Sequence, residues 1–136
     1  MGVISSVRRF FQRKPLVVVI RLDGVIGAVS RFGSGGLDDS NTQKLLEKAF
    51  EFEKAKAIAI KINSPGGSPT QSSLIASRIL KLSEEKKIPV LCFCEDVAAS
   101  GGYWLACAGE EIYSDINSII GSIGCLLYTS DAADDC

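Results

Sequence analysis

Short apolar runs rich in β-branched residues alternate along this chain with longer stretches of helical periodicity, and this alternation limits the fold more than any other feature. Residues 16–22 and 57–62, the latter Ala57-Ile58-Ala59-Ile60-Lys61-Ile62, read as strands. The first is continuous enough to predict a strand covered on both faces. Between them, Asp38, Asp39 or Ser40 can cap a helix running to about residue 54, with Leu45, Leu46, Ala49, Phe50 and Phe52 on its buried side. A second helix starts at Pro69 behind a Ser68 cap and reaches Lys86 or Lys87. A third strand spans residues 89–93 or 89–94, a buried helix 98–108, and a short fourth strand 111–113. Residues 117–124 read as a loop or the start of a further element. Strands alternating with helices predict an α/β fold with a parallel sheet and βαβ crossovers. Ligands gather at the carboxyl ends of the strands in such folds. Both glycine-rich segments, 63–67 and 100–102, fall at or just past strand ends.

Composition narrows the chemistry. The 136 residues suit one domain, and 46% hydrophobic against 23% charged content supports a packed core. A formal net charge of −1 argues against a nucleic-acid partner. The sequence contains no histidine, which removes a Ser-His-Asp triad or a Cys-His pair and argues against a metal site of the zinc type. No apolar run approaches the roughly 20 residues that a membrane-spanning helix needs. The five cysteines, Cys92, Cys94, Cys107, Cys125 and Cys136, have no zinc-ligand spacing and read as small hydrophobes in a reducing compartment. Residues 1–14 form a basic segment, with Arg8, Arg9, Arg13 and Lys14 around Val7, Phe10 and Phe11. It reads either as a frayed terminus or as a peripheral contact with an anionic membrane.

The chemistry centres on Asp96-Val97-Ala98-Ala99-Ser100-Gly101-Gly102-Tyr103-Trp104. A serine at the amino end of a buried helix, among small neighbours, leaves its hydroxyl open to an acyl carbonyl. Free backbone N–H groups and the helix dipole there favour a developing oxyanion. Gly101 follows the serine directly, and the Gly66-Gly67 turn can bring a second N–H to the same point. Ser-Gly-Gly alone at a helix start is more often a packing or capping device than a nucleophile. Asn63 reads as tying its own loop, Glu95 and Asp96 as caps of the following helix, Tyr103 and Trp104 as core or subunit contacts, and Ser122 as a turn residue. Lys44, Lys48, Lys54, Lys56, Lys81, Lys86 and Lys87 read as solvated faces, and Lys61, on a strand two residues before Asn63, as an edge or mouth position more than as a base.

Three segments taken in order are more specific: Ile62-Asn63-Ser64-Pro65-Gly66-Gly67, Val97-Ala98-Ala99-Ser100-Gly101-Gly102-Tyr103, and Ile119-Ile120-Gly121-Ser122-Ile123-Gly124. Together they resemble the signal peptide peptidase A / SohB family of serine peptidases, over residues 15–124. The resemblance implies a ClpP/crotonase-like parallel sheet, incomplete here, and a Ser-Lys dyad that cleaves signal-peptide remnants or other membrane-derived peptides. It implies Ser100 as nucleophile, Gly67 and Gly101 as oxyanion donors, and Gly66 and Gly102 beside the substrate. It implies no cofactor, a homo-oligomer in the full-length protein, and a cytoplasmic or inner-membrane-peripheral location. No residue here matches the general-base lysine, so residues 1–136 alone are expected to be inactive. Residues 125–136 resemble a translated sequencing adapter and are expected to be non-native read-through. A crotonase-like acyl-CoA enzyme, which also holds an oxyanion with two N–H groups, and a non-catalytic oligomerising scaffold are the alternatives.

Overall fold

The computed structural model describes residues 15–27 and 36–123. The basic segment 1–14 and the tail 125–136 lie outside them. The element order is β1 (Leu16–Asp23), α1 (Asp39–Phe50), β2 (Ala55–Ser64), α2 (Pro69–Lys86), β3 (Val90–Ala99), α3 (Gly101–Ala106), β4 (Glu111–Ser114) and β5 (Ile119–Gly121). All pairings are parallel, in the order β1-β2-β3-β4, with β5 also on β3. β3 therefore has β2 along one edge, and β4 followed by β5 along the other.

Register sorts the side chains onto two faces. Val18, Ile20 and Leu22 of β1 align with Ile58, Ile60 and Ile62 of β2, and these with Val90, Cys92 and Cys94 of β3. This face meets Leu46, Ala49 and Phe50 of α1, Ile75 and Ile79 of α2, and Leu105 of α3 in one core. The opposite face carries Val17, Val19 and Tyr113, exposed at 45%, 60% and 45%. The expectation that β1 is covered on both faces is thus corrected. Among the described residues, its only strand partner is β2, and the helices pack on one side of it.

The helix boundaries follow from their caps. Asp38 accepts the Asn41 N–H at 2.7 Å and starts α1. α1 stops at Phe50 instead of continuing to residue 54, because the chain turns at once into β2 and the Ala55 N–H bonds the Phe52 carbonyl at 2.8 Å. Leu45 and Phe52, expected on the buried side, are exposed. Ser68 caps α2 ahead of Pro69, and Lys87 ends it in the left-handed conformation with φ 53°. Arg78 of α2 grips Asp39 of α1 with two hydrogen bonds, Nε to Oδ1 at 2.9 Å and a terminal nitrogen to Oδ2 at 2.8 Å.

The largest departure from the sequence reading lies between residues 94 and 108. β3 does not end at Phe93 or Cys94 but runs on to Ala99, and α3 has six residues instead of eleven. Ala98 and Ala99 belong to the strand because β5 offers them a partner, with Val97, Ala98 and Ala99 paired to Ile119, Ile120 and Gly121. The stretch 117–124, left open between loop and element, holds that partner.

Candidate active site

Ser100 sits between the last residue of β3 and the first of α3. Its backbone has φ 52° and ψ −120°, a region that residues with a side chain rarely occupy. Two backbone bonds hold it there. The Ser100 N–H donates to the Gly121 carbonyl at 2.8 Å, and the Ser100 carbonyl accepts from the Trp104 N–H at 3.1 Å. The side chain makes no capping bond to α3 and is half-buried. A sharp, strained strand-to-helix turn is the device by which a nucleophilic serine is presented clear of a parallel sheet.

The turn at the end of β2 packs against this corner. Gly66 has φ 95°, and a Cβ built on it would lie 2.7 Å from the Ala99 carbonyl oxygen and 2.8 Å from both the Gly101 nitrogen and the Ser100 Cβ. Only glycine permits that approach. Its own N–H is occupied, donating to Ser64 Oγ at 3.1 Å. Gly67 faces the β1 side, where Ile26 donates to the Gly66 carbonyl at 2.9 Å and accepts from the Ser68 N–H at 2.8 Å. Among the described residues, the N–H groups of Gly67 and Gly101 donate to no protein acceptor.

Gly101 and Gly102 also have packing roles. A Cβ on Gly101 would strike Ser72 Oγ of α2 at 2.2 Å, and one on Gly102 would strike the Ser64 carbonyl of β2 at 2.5 Å. Ser64 and Ser72 are both fully buried and were missed as candidates. The available signal was their spacing, Ser64 two residues before Gly66 and Ser72 four after Ser68, which is how hydroxyls bond nearby backbone.

Glu95 and Asp96 are not caps of α3; they lie within β3. Glu95 pairs with Lys61 and, at 2.9 Å, with Arg21. The Lys61 hydrogen bond, with Arg21 beside it, holds the Glu95 carboxyl below its ordinary range. Lys61 is therefore engaged by a carboxylate. The other described lysines, 44, 48, 54, 56, 81, 86 and 87, are exposed. Tyr103 packs on the core, whereas Trp104 is exposed. Cys92 is fully buried and its thiol is pushed up to about 12, chiefly by burial, while Cys107 is exposed.

A single parallel layer backed by helices, with a serine in a strained turn against a glycine loop at the strand ends, has the architecture of an α/β peptidase. Comparison with known proteins agrees. The sequence model of peptidase family S49 matches residues 83–133, a stretch that contains Ser100. Protease 4 of Haemophilus influenzae is 34% identical over 110 residues, 79% of this chain and 17% of that protein. A protein named Na(+)/H(+) antiporter NhaA, from Brucella melitensis, is 49% identical over 117 residues, 86% of this chain and 16% of the relative. The chain thus spans about one sixth of the length of these relatives. No helix among the described residues is long and apolar enough to cross a membrane. A solved mutant of the 1510-N membrane-bound stomatin-specific protease, in complex with a substrate peptide, has the same fold: TM-score 0.56 at 24% identity, covering 77% of this chain and 43% of that one. Over residues 83–133 the chain is similar to peptidase family S49, and over most of its length it is similar to proteins named protease 4 and signal peptide peptidase SppA.

Proposed function

We propose that this chain carries the nucleophile and oxyanion donors of a serine peptidase, and that a lysine from outside residues 1–136 is the general base. The observation that carries the reading is the conformation of Ser100, φ 52° and ψ −120°, packed against Gly66. A strained serine whose hydroxyl has no hydrogen-bond partner among the described residues is costly to keep for structural reasons alone. Ser100 Oγ attacks the scissile carbonyl and gives its proton to the neutral lysine amine. The carbonyl oxygen becomes an oxyanion that accepts from the N–H groups of Gly67 and Gly101, with Gly66 keeping the loop close and Gly102 beside the substrate. Collapse breaks the peptide C–N bond, the lysine returns the proton to the leaving amine, and water then hydrolyses the acyl-enzyme. No cofactor enters any step.

The substrate in this reading is a signal-peptide remnant or another membrane-derived peptide. The full-length protein works as a homo-oligomer, in the cytoplasm or at the inner face of the membrane, which residues 1–14 touch peripherally. A fluorophosphonate probe applied to the full open reading frame tests the assignment. Labelling that maps to Ser100 and disappears in Ser100→Ala is the expected result, with residues 1–136 alone giving no turnover. A full-length protein that takes no label while folded would make the chain a scaffold, and the reading would fail.

A further inference from the structure

We propose that Asn63 is a positioning residue that sets the strained turn at Ser100 by clasping a bulge in β3; the proposal rests on Ser100 being the nucleophile. The sheet register carries the argument. From Ile62 to Ser64, two steps on β2 are matched by four on β3, from Cys94 to Ala98. Glu95, Asp96 and Val97 therefore arch away from β2. An arched segment leaves backbone groups without ladder partners. Asn63 supplies one with its side chain: its Oδ1 accepts the Val97 N–H at 3.2 Å, and its Nδ2 reaches Asp96 Oδ2 at 3.5 Å. The Asn63 carbonyl meanwhile accepts the Gly24 N–H at 3.0 Å, so one residue joins the ends of three strands.

The bulge is where β3 changes partner. Leu91 to Cys94 before it pair with β4, and Val97, the last residue of the bulge, pairs with β5 together with Ala98 and Ala99. β5 in turn supplies Gly121, whose carbonyl holds the Ser100 N–H. The side-chain amide that fixes Val97 therefore fixes the register of the β3–β5 ladder, and that ladder fixes Ser100. Both ends of an amide are needed, one to accept from Val97 and one to donate to Asp96. Aspartate at position 63 keeps the acceptor but sets a carboxylate against that of Asp96.

Three variants of the full open reading frame test this: Asn63→Ala, Asn63→Asp, and Asn63→Asp combined with Asp96→Asn. A misplacement of about 1 Å in a nucleophile costs on the order of 100-fold in rate. Fluorophosphonate labelling of Ser100 is expected to slow by at least about 10-fold in each single variant, with kcat falling and KM held within about twofold. The paired exchange restores donor and acceptor in reverse and is expected to recover most of the labelling rate. In residues 1–136, amide hydrogen exchange in Asn63→Ala is expected to quicken over 95–104 while α2 keeps its protection. Wild-type protein that fails to label sinks the peptidase reading, and this inference with it. Wild type that labels normally, with Asn63→Ala labelling equally fast, overturns the role of Asn63 alone. Loss of protection across α2 as well, or no recovery in the paired exchange, makes Asn63 a general fold residue and overturns the proposal.

Discussion

At the scale of single residues, the site is a balance between strain and approach. Ser100 holds a conformation that glycine would adopt freely. Ser100→Gly is therefore expected to raise unfolding stability by about 1 kcal/mol in denaturant titration while removing all labelling. Gly66 is the reverse case. Its φ of 95° and the 2.7–2.8 Å contacts of a built Cβ leave no room for a methyl group. Gly66→Ala is expected to cost about 1–3 kcal/mol. It should also push the turn away from Ser100, so that labelling slows by about 10-fold or more. Unfolding curves and probe kinetics on the same samples check both parts. Unchanged labelling in Gly66→Ala would mean that the contact with Ser100 is incidental.

At the scale of elements, α1 and α2 are tied by the paired hydrogen bonds between Asp39 and Arg78. Arg78 holds the Asp39 carboxyl below its ordinary value of 3.8, mainly through the hydrogen bond. A carboxyl with a depressed folded-state value contributes stability above its unfolded value and loses it as pH falls through the folded value. Arg78→Ala is thus expected to destabilise by about 1 kcal/mol at pH 7, since the pair is partly solvated. The gap to wild type should close as pH drops below 3.8 and through the lowered value. Urea titrations of both proteins across that range measure it, and a gap independent of pH would remove the ion pair as its cause.

At the scale of the whole molecule, the described residues form a parallel sheet with helices on one face only. Parallel sheets ordinarily bury both faces. Ile60, on the helix side, is fully buried, whereas Val19, on the other side, is 60% exposed. Ile60→Ala is expected to cost about 2–5 kcal/mol. Val19→Thr should stay within about 0.5 kcal/mol in residues 1–136, as for an ordinary surface exchange. Thermal or chemical unfolding of the two variants compares the faces directly. A large loss in Val19→Thr would show that the open face is covered in solution.

What the sequence determined by itself was local. Alternating apolar runs gave the strand–helix order, the Ser68-Pro69 pair marked a helix start, and the glycines at 66, 67, 101 and 102 marked where backbone must come close. These signals survive in sequence because each depends on neighbours within a few residues. Tertiary structure alone decided that β3 runs past Cys94, that β5 pairs beside it, and that Asn63 reaches β3 instead of its own loop. Each of those depends on which edge of β3 is free and which segment fills it, and that choice joins residues some 20 to 35 positions apart. A run such as Ala98-Ala99 carries no strand periodicity of its own. It becomes strand because Ile120 and Gly121 arrive to bond it.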